Sequence, residues 1–204
     1  MKQDSQIRQE QIVEAALRRF LHFGIGKTTV TEVADDLFVT KQALSYYFPD
    51  KQQLVKAVIE KVTMDYLGRL EEEMKKAGTV EVALLKLTEV KSLFFEKHFM
   101  LVLQADHFEL ANSSSLHKWK EALTEKETAL ITELFHKGIS LGELKPMDAE
   151  KTAHLFLETL YAFSRCIKDM GALPGREVFR NIFLKQQEVI RLFYAGLKAA
   201  TWQR

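Results

Sequence analysis

Apolar residues recur along most of the chain at intervals of three and four, and no stretch alternates cleanly as a β-strand would. This pattern predicts an all-α protein of about nine helices. We expect the helices near residues 5–23, 30–37, 41–48, 51–77, 80–97, 99–111, 115–140, 149–170 and 175–199. The prolines support these breaks, since Pro49, Pro146 and Pro174 each fall between two helical segments.

Capping residues mark many of the predicted boundaries. Glu32 stands three residues after Thr29, which is typical of a capping box. The residues predicted to cap helix starts are Thr29, Thr40, Asp50, Thr79 and Asp148. The glycines predicted to end helices in a left-handed conformation are Gly24, Gly78, Gly142 and Gly171.

The two ends of the chain differ in scale. Three compact helices fill residues 5–48, whereas the later helices are longer, and ten of the 14 phenylalanines lie between Phe94 and Phe193. We therefore predict a small head, residues 1–50, followed by a large helical body, residues 51–204.

Two short helices joined by a tight turn, near 30–37 and 41–48, are typical of a helix-turn-helix unit, whose second helix lies in a DNA major groove. The residues predicted to face inward are Val30, Val33, Ala34 and Leu37, then Val39 in the turn, then Ala43, Leu44 and Phe48. The residues left facing outward are Lys41, Gln42, Ser45, Tyr46 and Tyr47. Lysine and hydroxyl groups bind phosphate, and glutamine can pair with adenine, so this set suits a DNA surface. A solvated helix in an ordinary bundle is the alternative.

Two further residues extend this candidate surface. Thr40 both caps the second helix and can donate to phosphate. Lys51 stands at the start of the next helix, where free backbone amides and the helix dipole already favour an anion.

The segment AALRRFLHFGIGKTTVTEVADDLFVTKQALSYYFPDKQQLVKAV resembles the amino-terminal DNA-binding domain of the TetR family of transcriptional regulators. The resemblance runs through Ala16, Phe20, Gly24, Thr28, Thr29, Val33, Ala34, Val39, Thr40, Ala43, Leu44, Tyr47, Phe48, Lys51 and Leu54. It covers about a fifth of the chain, and the remainder is similar to the family only in the number and length of its helices.

The resemblance implies an Ω-shaped homodimer in which the last two helices form a four-helix bundle with the partner. It also implies a repressor that binds a palindromic operator and is released by a small hydrophobic effector held in the body. The phosphate contacts it implies are Thr29, Thr40, Tyr47 and Lys51, and the base contacts are Gln42 and Tyr46.

Two residues depart from the family pattern. Phe38 stands where many members have a turn glycine, which predicts a left-handed or distorted backbone at a bulky residue. Ser45 replaces a common tyrosine and removes one aromatic contact.

Charge gives no general support for DNA binding. The chain carries a net charge of +1, and its first 60 residues hold eight basic and eight acidic side chains. Asp35 and Asp36 beside the turn would repel phosphate unless they face away. We therefore predict modest affinity with a shallow dependence on salt.

Two apolar stripes near the end of the chain predict the dimer interface. The first holds Phe156, Leu160, Phe163 and Ile167, at the spacing of a coiled coil. The second holds Val178, Ile182, Val189 and Phe193 and ends in small residues from Gly196. The alternative is that both stripes are buried within one chain.

A pocket for the effector would come from the middle helices, where polar groups stand among aromatic and aliphatic ones. The candidate ligand-binding residues are His98, Gln104, His107, Trp119, Tyr161 and Arg165. Each of them could equally be a surface or core group.

Other function classes find little support. We find no phosphate-binding loop, serine elbow or metal cluster, and a lone Cys166 cannot form an intrachain disulfide, so we expect no enzyme, no cofactor and no metal. The polar amino terminus and the lack of a long apolar run predict a cytoplasmic protein. Two rivals stay open: a DNA-binding regulator without an effector, and a helical dimeric interaction module that does not bind DNA.

Overall fold

The computed structural model describes residues 2–99, 101, 114–168 and 176–199. Its helices are α1 (Lys2–Phe23), α2 (Val30–Asp36), α3 (Lys41–Tyr47), α4 (Lys51–Lys76), α5 (Val80–Lys97), α6 (Ser114–Ser140), α7 (Ala149–Lys168) and α8 (Arg176–Leu197). The all-α prediction is confirmed. The further helix predicted at 99–111 falls mostly outside the described residues. Within the described ranges, the one pairing of strand type is an isolated antiparallel bridge between Leu144 and Lys198.

The predicted N-caps are in place. The Thr29 hydroxyl accepts from the Glu32 backbone N–H at 3.2 Å while the Glu32 carboxylate accepts from the Thr29 N–H at 2.7 Å, which completes the capping box. The other caps each accept from the N–H three residues on, and they are Thr40, Asp50, Thr79 and Asp148. Helices α2 and α3 have seven residues each, too few for stability alone, so these caps and tertiary packing fix them.

Glycine takes the left-handed conformation after α1 and after α6, with φ of 86° at Gly24 and 71° at Gly142. Gly78, after α4, does not take it, contrary to the prediction, and Gly171 lies outside the described residues. Phe38 ends α2 with φ of 54°, so the left-handed backbone predicted at this bulky residue is confirmed.

The described residues form two compact units. One comes from within 1–65 and 97–119, and the other from within 66–96 and 120–204. The first buries apolar side chains of α1 to α4, among them Ile12, Ala16, Phe20, Val33, Leu44 and Val55. The second has a core that includes Leu70, Leu84, Leu87, Ile131, Phe135, Phe156 and Ile190. The division predicted at residue 50 concerns function rather than packing, and it stays a prediction. None of the described helices has the length and apolar character needed to cross a membrane.

Candidate nucleic-acid interface and buried polar cluster

Packing against α2 fixes the position of α3. Val33 and Ala34 of α2 and Leu44 of α3 are fully buried, and Phe48 at the end of α3 is buried as well. Ala43 is exposed, so the prediction that it faces inward is wrong. A helix of two turns buries only the one face that meets its neighbour, and Leu44 fills that face.

Most of the remaining side chains of α3 face solvent. Lys41 and Gln42 are exposed, and Tyr46 is 81% exposed, a high value for a tyrosine. Ser45 and Tyr47 are half-buried. The Tyr46 and Tyr47 rings meet edge to face with centroids 5.1 Å apart, which restricts the Tyr46 ring while leaving its outer face open. Of the outward set predicted from the sequence, Lys41, Gln42 and Tyr46 are therefore exposed on one short helix, and Ser45 and Tyr47 are partly exposed.

The two threonine caps differ in what they can offer a phosphate. The Thr40 hydroxyl accepts from the Ala43 N–H at 3.1 Å, and a hydroxyl that accepts still has its own proton to donate. The Thr29 hydroxyl donates its proton to the Glu32 carboxylate at 2.8 Å. In this conformation Thr40 suits a phosphate oxygen, whereas Thr29 would first have to leave Glu32.

Lys51 points back into the head. Its ammonium donates to the Gly26 carbonyl oxygen at 3.3 Å, and burial lowers its pKa. Its side chain is half-buried and anchors the start of α4 to the turn after α1. A phosphate contact through Lys51 would need this hydrogen bond to be exchanged or shared.

The acidic residues beside the turn have a partner on α1. The Arg19 guanidinium donates two hydrogen bonds to the Asp36 carboxylate, at 2.6 and 2.8 Å, and lies 3.5 Å from the Glu32 carboxylate. The hydrogen bond from Arg19 lowers the pKa of Asp36, and the bonds from Thr29 lower the pKa of Glu32. Arg19 thus offsets the charge of Asp36 and reduces the repulsion expected between Asp36 and DNA phosphate. Asp35 stays exposed.

Residues 12–58 match the family model for bacterial regulatory proteins of the tetR family, the span that contains α2, α3 and their caps. In this span the chain is similar to regulators of the TetR family. It is 22% identical over 176 residues to the HTH-type transcriptional repressor KstR2 of Mycolicibacterium smegmatis, covering 84% of each chain. It is 26% identical over 200 residues to the HTH-type transcriptional regulator RutR of Escherichia coli, covering 94% of this chain and 91% of that one.

A solved structure of a transcriptional regulator from Cytophaga hutchinsonii shares the fold, with a TM-score of 0.86 and 24% identity over 94% of this chain and 99% of that chain. The relatives match over most of their length. The protein is therefore a TetR-like DNA-binding transcriptional regulator.

The structure tests only part of the ligand-binding set predicted for this TetR-family body. His98 is buried, in the first compact unit, and Tyr161 is half-buried, in the second. Gln104 and His107, and the side chains of Trp119 and Arg165, lie outside the described residues. The ligand-binding set therefore stays a prediction, with only the side chains of His98 and Tyr161 among the described residues.

Tyr161 belongs instead to a polar cluster inside the second unit, formed with Tyr66, Lys91 and Glu127. The Glu127 carboxylate is completely buried and accepts from the Tyr66 hydroxyl at 2.5 Å, from the Tyr161 hydroxyl, and from the Lys91 ammonium. Lys91 lies 3.0 Å from the carboxylate and 4.3 Å from the centre of the Tyr161 ring. Burial, then the Glu127 charge, raises the pKa of Tyr66 well above its usual value. We call these four residues the Glu127 cluster.

Sequence reasoning missed three of these four residues, although a signal was present. Glu127 stands four residues before Ile131, which stands four before Phe135, so Glu127 occupies the next inward position of a buried stripe. Lys91 follows Leu87 in the same way on α5. A charged residue in an apolar stripe needs a partner of opposite charge, and these two residues provide it for each other.

The dimer stripe predicted on α7 stays a prediction. Phe156 and Leu160 are buried in the core of their own chain, as the alternative interpretation of this stripe expects. The side chains of Phe163 and Ile167 lie outside the described set. The stripe has coiled-coil spacing because α7 packs against α8 and the core of the same chain, where spacing of three and four serves equally well.

On α8 the predicted residues lie at the edge of the core. Val178, Ile182, Val189 and Phe193 are half-buried and Gly196 is exposed. The fully inward positions of α8 are instead Gln186, Ile190 and Tyr194. Three leucines of α7 and α8 are more than half exposed, namely Leu155, Leu184 and Leu192.

Proposed function

We propose that the protein is a transcriptional repressor that binds a palindromic operator as a homodimer in the cytoplasm and is released by a small effector. The observation that carries the DNA-binding part is α3, a capped helix of seven residues that leaves Lys41, Gln42 and Tyr46 in solvent. A relative named as a repressor supports the direction of regulation.

In this proposal the head, residues 1–50, binds the DNA. Gln42 and Tyr46 contact base edges, and Thr40, Lys41, Ser45 and Tyr47 contact phosphate or sugar. Thr29 and Lys51 contribute only after their internal hydrogen bonds rearrange. A head with few available cations gives a shallow dependence of affinity on salt, and a steep one would contradict the assignment.

The body, residues 51–204, provides the dimer interface and the effector site. Among the described side chains of α7 and α8, the large apolar ones most exposed are Leu155, Leu184 and Leu192, and we place them at this interface with the exposed Gly196 of α8. The effector is an apolar molecule with a few polar groups, and Tyr161 is the predicted ligand residue whose hydroxyl already lies in a polar cluster.

The test of DNA binding is fluorescence anisotropy with a duplex taken from upstream of the protein's own gene and a scrambled duplex of equal length. Gln42→Ala should weaken binding about 5- to 140-fold, the usual range for loss of a bidentate base contact. Gln9→Ala, which removes an exposed glutamine of α1, should leave affinity unchanged. The upstream regions of flanking genes are tested in the same way. If the protein binds all of these duplexes and the scrambled one with equal affinity, the result favours the interaction module instead.

The effector part has a separate test. A ligand that binds the native state raises the melting temperature, so a panel of hydrophobic and cationic compounds is screened by thermal shift. A compound that raises the melting temperature should also release the duplex. If no compound does either, while the duplex is bound specifically, the protein is a regulator without an effector.

A further inference from the structure

The turns after α2 and α6 have the same hydrogen bonding but different residues at the left-handed position. After α6, the Gly142 N–H donates to the Ile139 carbonyl at 3.0 Å and the Glu143 N–H to the Gly138 carbonyl at 2.9 Å. This pair of bonds defines a Schellman motif with glycine at its left-handed position, where a side chain is unfavourable.

After α2, the Phe38 N–H donates to the Asp35 carbonyl at 3.0 Å and the Val39 N–H to the Ala34 carbonyl at 3.1 Å. The motif is the same, and its left-handed residue is a phenylalanine with φ of 54°. An L-residue with a side chain is strained in this conformation, and glycine is not. The turn itself therefore gives no reason for a phenylalanine.

Within the part of the chain that the structure describes, the ring gains almost no burial in return. Phe38 is 97% exposed, the highest value among the large exposed hydrophobic residues of the described chain. A single exposed apolar side chain needs no explanation by itself. An exposed aromatic ring on a strained backbone combines two unfavourable features on one residue, and such outliers occur where function requires them.

The position of Phe38 next to α3 indicates that its ring contacts DNA. Phe38 stands two residues before Thr40, the N-cap of α3, so their Cα atoms are at most about 7 Å apart. The exposed Lys41 and Gln42 follow directly. When the start of α3 meets DNA, Phe38 is carried to the same surface.

We infer that Phe38 is a specificity-determining residue whose ring makes an apolar contact with the C5-methyl group of a thymine at the edge of each half-site. A phenyl ring offers no hydrogen-bond donor or acceptor, and the thymine methyl is the apolar group that the major groove presents. The inference rests on DNA binding by α3 and adds a residue beyond the polar set proposed for it.

The experiment begins with duplexes selected by the wild-type protein from a random-sequence library. In the selected duplex each thymine is replaced in turn by deoxyuridine, which removes only the methyl group. We expect wild-type affinity to fall about fourfold per contacted methyl at one position in each half-site. Phe38→Ala should bind the thymine duplex more weakly and show no further loss with uridine at that position.

Stability separates this role from a structural one. Phe38→Gly removes both the strain and the ring, so its melting temperature should rise by about 2–4 °C while its affinity falls as in Phe38→Ala. Two controls use the α6 turn. Gly142→Ala places a side chain in the same left-handed position and should lower the melting temperature, and Leu141→Ala removes an exposed apolar side chain; neither should change affinity for DNA.

The outcomes are distinct. The inference would be overturned if both Phe38 variants bound within twofold of wild-type affinity. It would also be overturned if the variants bound more weakly but lost as much affinity as wild type on uridine substitution at every position. Failure of the wild-type protein to select any duplex would instead count against DNA binding by α3.

Discussion

Arg19 and Lys91 each bind a carboxylate, but they do so in different surroundings. Arg19 holds Asp36 through two hydrogen bonds at the surface of the head, with the Asp36 side chain 40% exposed. Lys91 holds Glu127, whose side chain is 0% exposed, together with two tyrosine hydroxyls. Water and salt screen the first pair, whereas the second lies where charges interact strongly and must be fully paired.

The difference in burial matters for the DNA surface of the head and for the stability of the second unit. A screened pair beside the turn neutralises an aspartate without making the DNA surface rigid or strongly charged. The buried Glu127 cluster has one residue on each of α4, α5, α6 and α7 and joins these four helices of the second unit through one carboxylate. A substitution at any of its members should therefore weaken the packing of all four helices. We expect substitutions in the Glu127 cluster to have the larger effects on stability.

The largest effect should come from Lys91→Met, which leaves the buried Glu127 carboxylate without its cation. Removal of one partner of a buried ion pair lowers the free energy of unfolding by about 3–5 kcal/mol. Urea denaturation at pH 7 measures it. Lys86→Met is the matched control, because Lys86 is on the same helix and bridges Glu89 at 2.7 Å at the surface, and it should have little effect.

The double variant Lys91→Met with Glu127→Leu sharpens this test. If the loss comes from an unpaired buried charge, removal of that charge should restore much of the stability. Should the double variant lose as much as the sum of two independent changes, the pair is held by packing rather than by charge.

The same comparison shows what the sequence could predict. The caps at Thr29, Thr40 and Asp148 were predictable because they depend on residues three apart. The left-handed Phe38 was predictable because it breaks a local pattern. These features involve only neighbours along the chain.

Longer-range contacts were not predictable in this way. Tyr66, Lys91 and Glu127 are far apart along the chain, and their contact could not be predicted, because periodicity does not specify which helices pack together. The dimer stripe predicted on α7 depends on contacts of the same kind. The spacing showed that Phe156 is buried, but not by which chain.

Tyr66→Phe should have the second-largest effect. It removes a hydrogen bond to a charged, buried group, and such bonds contribute about 1.5–3 kcal/mol to the free energy of unfolding. Urea denaturation of Tyr66→Phe against Tyr46→Phe, which removes an exposed hydroxyl, measures this contribution. Equal stability of these two variants would show that Lys91 and Tyr161 satisfy Glu127 without Tyr66.

Alkaline pH should act through the buried tyrosines. Burial raises the pKa of Tyr66 well above its usual value, and burial with the hydrogen bond to Glu143 raises the pKa of Tyr194 to about 12. A raised pKa in the folded state gives stability that is complete below about pH 10 and is lost as pH rises above it. The free energy of unfolding should therefore fall between pH 10 and 12. Tyr194→Phe should flatten that fall, and an unchanged slope would contradict the assignment.

The smallest effect should be that of Asp36→Asn in the surface pair, and its signature is its dependence on conditions. The bond from Arg19 lowers the pKa of Asp36, so the stability it contributes is present above about pH 4 and is lost as pH falls through the lower folded value. The difference in urea midpoint between wild type and Asp36→Asn should be small at pH 7, and it should shrink at pH 2 and in 1 M salt, where the charges are screened. Asp35→Asn, which changes an exposed neighbour, provides the control for loss of one negative charge. If the difference persists at pH 2 and in 1 M salt, hydrogen-bond geometry rather than charge joins α1 to α2. The Arg19–Asp36 pair and the Glu127 cluster would then differ in burial and not in how strongly their charges are screened.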